Sequence, residues 1–398
     1  MNENISKYRH DFLLFFIVLI PVLDRIFLAY KEDYVTQRLA DILIIFLTLY
    51  VLLKDNRWHI LDKGLFTVLT SILLLSLLFF ATDLSQISAR QSISLILSAM
   101  YVYLVVFISS KYSLNKFIKY SLWVFFLNCV VVIVVGIFPD IFSFLVMKMS
   151  NYGRNVLGYQ LPFVRNAGLF NHYGYFAVGL LASLFMLEYA RQMNRIKLPV
   201  YVLYWATCYV AVIVSQSRAA LIGLIFTSTI LFIYKVKISN MYKFLIVIFL
   251  LVLFFDDLLS LWNSFVNIKA ATFDQRLYQI NIGLSILEKS PFFGGGYSVY
   301  FQENDVHVLH NMFVNILSSV GIVGFVVFIF MNASLIFMNK SNNMKFIAAI
   351  FLSGSHLVLL ASSGLSFYTF WLVVAIAISV SINHSKQIDG HMQRTHER

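Results

Sequence analysis

Hydrophobic positions in this chain fall in long blocks, not in alternation. Runs such as IIFLTLYVLL (44–53), LLLSLLFF (73–80) and VVVIVVGIF (130–138) contain scarcely a polar residue. An α-helix needs roughly 17–25 apolar residues to cross a hydrocarbon core, and the strands of a transmembrane barrel would alternate every second residue instead. The blocks predict helices at about 11–30, 38–53, 64–81, 92–109, 117–138, 168–188, 198–215, 219–235, 242–256, 311–338, 344–362 and 366–383. Between Thr272 and Gly324 the texture differs. From Asp274 to Lys289, Leu277, Ile280, Leu284 and Leu287 recur at helical spacing, with Gln275, Gln279 and Ser285 largely away from them. That spacing predicts an amphipathic helix stopped by Pro291. Gly294-Gly295-Gly296 then predict a flexible loop, and a polar patch, QENDVHVLH (302–310), leads into a hydrophobic helix of about 28 residues, roughly 42 Å long at ~1.5 Å per residue.

Composition agrees with the pattern. Hydrophobic residues make up 60% of the chain and charged residues 12%, with a mean hydropathy of +0.80, which excludes a soluble globular protein. The expected fold is an all-α polytopic membrane protein with about twelve transmembrane helices. Residues 1–398 form one integral membrane domain, with outside loops at about 139–167 and a larger one at about 257–310. The formal net charge is +11, and its distribution explains it. Lys7, Arg9, Lys54, Arg57, Lys111 and Lys235 all fall on one side of the twelve-span layout, with most of the other basic residues. The positive-inside rule makes that side, and both termini, cytoplasmic. The charge is an orientation signal, and nucleic acid is not an expected partner. The first apolar run carries Asp24-Arg25 and no small-residue cleavage site, so it reads as a retained helix. Cys129 and Cys208 both lie inside hydrophobic runs and offer neither a disulfide framework nor a zinc spacing.

Candidate chemistry sits at the outer side. Asp24 or Asp41 paired with Arg38 or Arg25 reads as a fastening between the first two helices. Arg165, just before helix 6, suits either a phosphate or interfacial anchoring. SQSR (215–218) is a tight corner, in which Arg218 has no acid near it in sequence and needs a ligand or a carbonyl as partner. Arg276 lies in the first turn of the amphipathic helix, and its alternative is a solvated or lipid-phosphate contact. His310, at the mouth of the next helix, could accept a proton from a hydroxyl. Glu303, Asp305, His307 and His310 supply oxygen and nitrogen ligands but match no defined metal motif, and a solvated loop explains the first three. Gly321 and Gly324 read as a close helix-packing face.

Four stretches, RNAGLFNHYGY, SQSRAAL, FDQRLYQINIGLSILEKSPFFGGGYSVYF and HNMFVNILSSVGIVG, resemble in order the signature regions of the O-antigen ligase/polymerase superfamily. The last has the family pattern of His-Asn, nine residues, Gly, two residues and Gly. The resemblance is best over about 160–330. It implies a glycosyltransferase in the bacterial inner membrane that moves glycan from an undecaprenyl-pyrophosphate carrier on the periplasmic face, with no cofactor and no metal. Arg218, Arg276 and, more weakly, Arg165 match its pyrophosphate-binding positions, and His310 its catalytic one. Implied partners are the lipid-linked glycan and membrane lipids, with a chain-length regulator protein as a further candidate. The GGGYSVYF run and the short stretch to His310 resemble an O-antigen polymerase. The His310 signature also fits an O-antigen ligase acting on lipid A core in lipopolysaccharide biosynthesis. A lipid-linked oligosaccharide flippase would be expected to place polar groups and broken helices near the bilayer midplane.

Overall fold

The structure, a computed structural model, describes residues 2–23, 27–29, 37–54, 62–139, 167–170, 173–215, 217–235, 270–296, 311–339, 341–360 and 368–396. These form α1 (Asn2–Leu23), a short antiparallel ribbon of β1 (Phe27–Ala29) and β2 (Gln37–Arg38), and α2 (Leu39–Lys54). There follow α3 (Lys63–Thr82), α4 (Gln86–Ile108), α5 (Leu114–Ile137), α6 (Tyr173–Gln192), α7 (Leu198–Ser215) and α8 (Arg218–Lys235). The last four are α9 (Ala270–Lys289), α10 (Met312–Phe337), α11 (Asn342–Leu359) and α12 (Tyr368–His396). The protein is an all-α polytopic membrane protein. Six helical segments among the described residues are long and apolar enough to cross a membrane. Every expected span meets a helix except 242–256, which lies outside the described residues.

Two helices form the centre. From Gly174 to Ala190 in α6 and from Tyr368 to Ile382 in α12, every residue is buried. A helix apolar all round belongs inside a bundle. Phe185 of α6 stacks on Phe351 of α11, and Phe125 of α5 stacks on Phe170 of the short turn Gly168–Phe170 before α6. Outer helices instead bare Leu53, Phe66, Leu77 and Leu203, which suits side chains facing lipid.

One end of the bundle collects the lysines. Lys116 pairs with Asp11 at 2.8 Å, joining α5 to α1. Gly64 lies against Met338, and Ser381 donates to the Met338 carbonyl. Ser109 donates to Ser379, and Tyr234 to Asn343. Glu188, wholly buried, accepts from the Tyr201 hydroxyl at 2.9 Å and contacts the Lys235 ammonium. Asp83, at the far end of α3, marks the opposite end, where it lies against Gly296. Asp41 accepts a 2.6 Å bond from Tyr368. Its expected pairing with Arg25 involves a residue outside the described set, as does Asp24, and for Arg38 only the backbone is described.

Candidate functional site

Of the candidate residues, Arg218 opens α8 and Arg276 lies on α9, and Asn311 precedes α10. The corner between α7 and α8 is closed by its own serines. Ser215 donates to the Val212 carbonyl and accepts from the Ser217 amide, and the Ser217 hydroxyl accepts from the Ala220 amide. Both serines are buried. A serine before the first turn satisfies an amide that the helix leaves unpaired, so the chain reverses here and Arg218 opens α8. α8 then runs close against α11. A Cβ on Gly354 would stand 2.3 Å from Thr227 Oγ1, and one on Gly223 2.7 Å from Val358 Cγ2.

α9 is the amphipathic helix expected from the sequence, but it turns a different face inward. Gln279, Ile282, Gly283 and Ile286 are buried, while Leu277 and Leu284 are each 42% exposed. The four-residue apolar repeat is thus only partly the packed stripe. A helix at a bilayer interface satisfies leucines on its outer side as well as its inner one. Arg276 falls in the first half of α9.

The larger departure lies in α10. It is not one long helix. Gly321 has φ 67° and ψ −167°, and the helical path breaks there. The ring centroids of Phe313 and Phe328 are 6.1 Å apart and those of Phe313 and Phe325 6.3 Å. In a straight helix, fifteen residues separate two positions by roughly 22 Å. The first half, 312–320, therefore folds back along the second, 322–337. The second half alone is about 24 Å long at ~1.5 Å per residue.

Nor is the glycine loop flexible as the sequence suggested. The amides of Gly295 and Gly296 donate to the carbonyls of Ser318 (2.8 Å) and Ser319 (3.1 Å). The amides of Ile322 and Val323 donate to the carbonyls of Pro291 (2.9 Å) and Phe292 (3.1 Å). A Cβ on Gly294 would meet backbone atoms of Ser318 and Ser319 at 2.5–2.6 Å, and one on Gly321 would meet the Phe292 oxygen at 2.2 Å. Of the expected glycine pair on α10, Gly324 does pack closely, against Val320 and towards Leu75 of α3, whereas Gly321 makes the break.

Asn311, the partner of His310 in the sequence signature, has a structural task. Its Oδ1 accepts from the amides of Phe313 and Val314, both at 3.1 Å, and caps the half-helix. The fold-back carries this corner against α11. His356 sits among the rings of Phe313, Phe328 and Phe370, with centroids 5.6–5.7 Å away. Its Nε2 is sealed from solvent and has no hydrogen-bond partner among the described residues, and the same holds for Asn315 Nδ2. Sequence reading passed over His356, because one histidine in an apolar run carries no signal of what folds onto it.

His310 and Arg165 lie outside the described residues, and so do Glu303, Asp305 and His307. Arg218 and Arg276 are placed by their backbones alone. Among the described residues no group of three His, Cys, Asp or Glu could hold a metal ion.

Residues 201–329 match the model of the family described as O-Antigen ligase. No curated protein matches the chain. The matched stretch runs from α7 to the second half of α10, across the corner at Arg218, the helix carrying Arg276, the glycine loop and the break. Over that stretch, about a third of the chain, this polytopic membrane protein is similar to the O-antigen ligase/polymerase superfamily, whose members are glycosyltransferase-like enzymes.

Proposed function

We propose that the protein is an O-antigen polymerase, joining undecaprenyl-pyrophosphate-linked oligosaccharide units on the periplasmic face of the inner membrane. The family match over 201–329 carries the reading, because it spans all three segments bearing Arg218, Arg276 and His310. The lysine-bearing end of the bundle is the cytoplasmic one by the positive-inside rule. The Asp83 end, with the glycine loop, then faces the periplasm.

In the reaction, an acceptor sugar hydroxyl attacks C1 of the donor glycan. The bond from C1 to the pyrophosphate oxygen breaks, and undecaprenyl pyrophosphate leaves with the electron pair. His310 takes the hydroxyl proton. Arg218 and Arg276, with Arg165 as a further contact, stabilise the charge that grows on the leaving group, since fixed guanidinium groups hold an oxyanion most strongly where water is scarce. A single in-line displacement inverts the anomeric centre. No step calls for a metal or cofactor.

Ligase activity towards lipid A core is the second reading. It is favoured by the His310-Asn311 signature and by the description of the matching family. A broken helix like α10 also occurs in transporters, so the break does not argue against a flippase. The family match does.

Replacing His310 by Ala is expected to lower glycan transfer on the order of 10²–10⁴-fold. Lipopolysaccharide gels from cells carrying only that variant test both readings. Core bearing a single repeat unit identifies a polymerase. Bare core, with lipid-linked polymer accumulating, identifies a ligase. A normal long-chain ladder would refute the role of His310.

A further inference from the structure

We propose that the Pro291–Gly296 loop and the break at Gly321 form a clasp, and that Gly294 and Gly321 are positioning residues for glycan transfer. The inference rests on the transfer reading given above. In an unbroken helix the Ser318 carbonyl would take the Ile322 amide, and the Ser319 carbonyl the Val323 amide. All four groups are instead bonded to the loop. The loop inserts into the helical ladder and exchanges two bonds within α10 for four with itself. Four of the backbone groups that the break would orphan are thereby satisfied.

Such an exchange has two closed states. With the loop in place, α10 is bent and Phe313 lies on Phe328. With the loop out, the same residues can close a continuous helix, and the Asn311 corner swings away from Phe328 and His356. Glycine at 321 permits both states. Its bent-state angles fall in a region almost confined to glycine, and alanine there favours the straight helix. Gly294, at φ 73°, meets only backbone on the α10 side, so no side-chain movement could make room for a Cβ.

The clasp joins the two segments that the transfer chemistry draws on. α9, bearing Arg276, ends at Lys289 and enters the loop directly through Ser290. The half-helix held at the other side begins at Asn311, beside His310 in sequence. No side chain of either segment need touch the other for their separation to be fixed. The break and the loop set it through the backbone.

The test uses the purified full-length chain in proteoliposomes, with undecaprenyl-pyrophosphate-linked repeat units as substrate. Gly321→Ala and Gly294→Ala are each compared with wild type for transfer. Geometry is read separately, by placing Phe313→Cys and Phe328→Cys in a chain whose Cys129 and Cys208 are replaced by Ala, and joining them with a short thiol cross-linker. The native chain should cross-link. Gly321→Ala should lose the cross-link, and both glycine variants should lose transfer at least tenfold while inserting at wild-type abundance. Transfer within twofold of wild type in a variant that no longer cross-links would overturn the proposal, and so would a cross-link that survives Gly321→Ala. If neither variant accumulates, the glycines serve folding and the positioning role falls. Should wild type itself move no glycan, the functional reading fails, and the cross-link still judges the clasp.

Discussion

At the residue scale, the least expected group is Glu188. By sequence it is one acid beside a basic segment, and Arg191, Arg195 and Lys235 read as orientation charges only. The fold removes its carboxylate from solvent, gives one oxygen to Tyr201 on α7 and the other to Lys235 on α8, and sets the Lys235 ammonium 5.4 Å above the Tyr201 ring. Three helices are tied at one carboxylate. The partners come from helices that no local pattern pairs, so the tie could not be read from the sequence. Removing the cation from a buried pair strands the acid, at a cost of about 3–5 kcal/mol. Lys235 is itself 37% exposed, and solvent screening puts the expected loss for Lys235→Met at about 3 kcal/mol or less. Thermal unfolding of the purified variant in detergent should fall by several degrees, with glycan transfer below that temperature retained.

At the element scale, hydropathy located the helices and failed at α10. Apolar residues continue without pause through Ser318-Ser319-Val320-Gly321, and one glycine costs a helix only about 1 kcal/mol, so nothing local announces a break. The deciding partner is the loop after α9, whose glycines looked like freedom and turn out to be clearance. The buried face of α9 differs from the leucine stripe for a related reason: the helix it packs on, α10, lies further along the chain and leaves no mark on the α9 sequence. Gly324 offers a contrast with Gly321. A Cβ there meets Val320 at Cγ2 (2.2 Å) and Cβ (2.7 Å) and Leu75 Cδ2 at 3.8 Å, with no main-chain atom among them. Gly324→Ala is therefore an overpacking change of about 1–3 kcal/mol. It should lower the unfolding temperature while leaving the α10 fold-back and most of the transfer rate in place, measured by the same cross-link and transfer assays.

For the whole molecule, the order of the described helices followed from the blocks of apolar residues, because a bilayer allows few alternatives to helices that satisfy their own backbones. The basic residues then gathered at one end, where Lys63, Lys116, Arg191 and Lys235 lie beside the ends of their helices. The candidate site was marked in the sequence by four ordered motifs, but its arrangement was not, since His310 and the arginines are far apart in the chain and only packing can bring such segments together. The orientation makes a direct prediction. Reporters fused near Asn304 and after Arg398 should lie on opposite sides of the membrane, the first periplasmic and the second cytoplasmic. Finding both on one side would undo the twelve-span layout.

The glycine loop grips α10 with main-chain atoms alone, and this bears on how such a protein can change over evolutionary time. Phe292 and Phe293, in the middle of the grip, point their rings outward and are 65% and 57% exposed. Their identity is open to drift, towards whatever suits the surrounding lipid or the passing glycan, without loosening the hold. What must be inherited at Gly294 and Gly321 is the lack of a side chain. Two descendants of this chain could come to share few residues along the loop and still bend the same helix at the same place, their kinship preserved in the positions left empty.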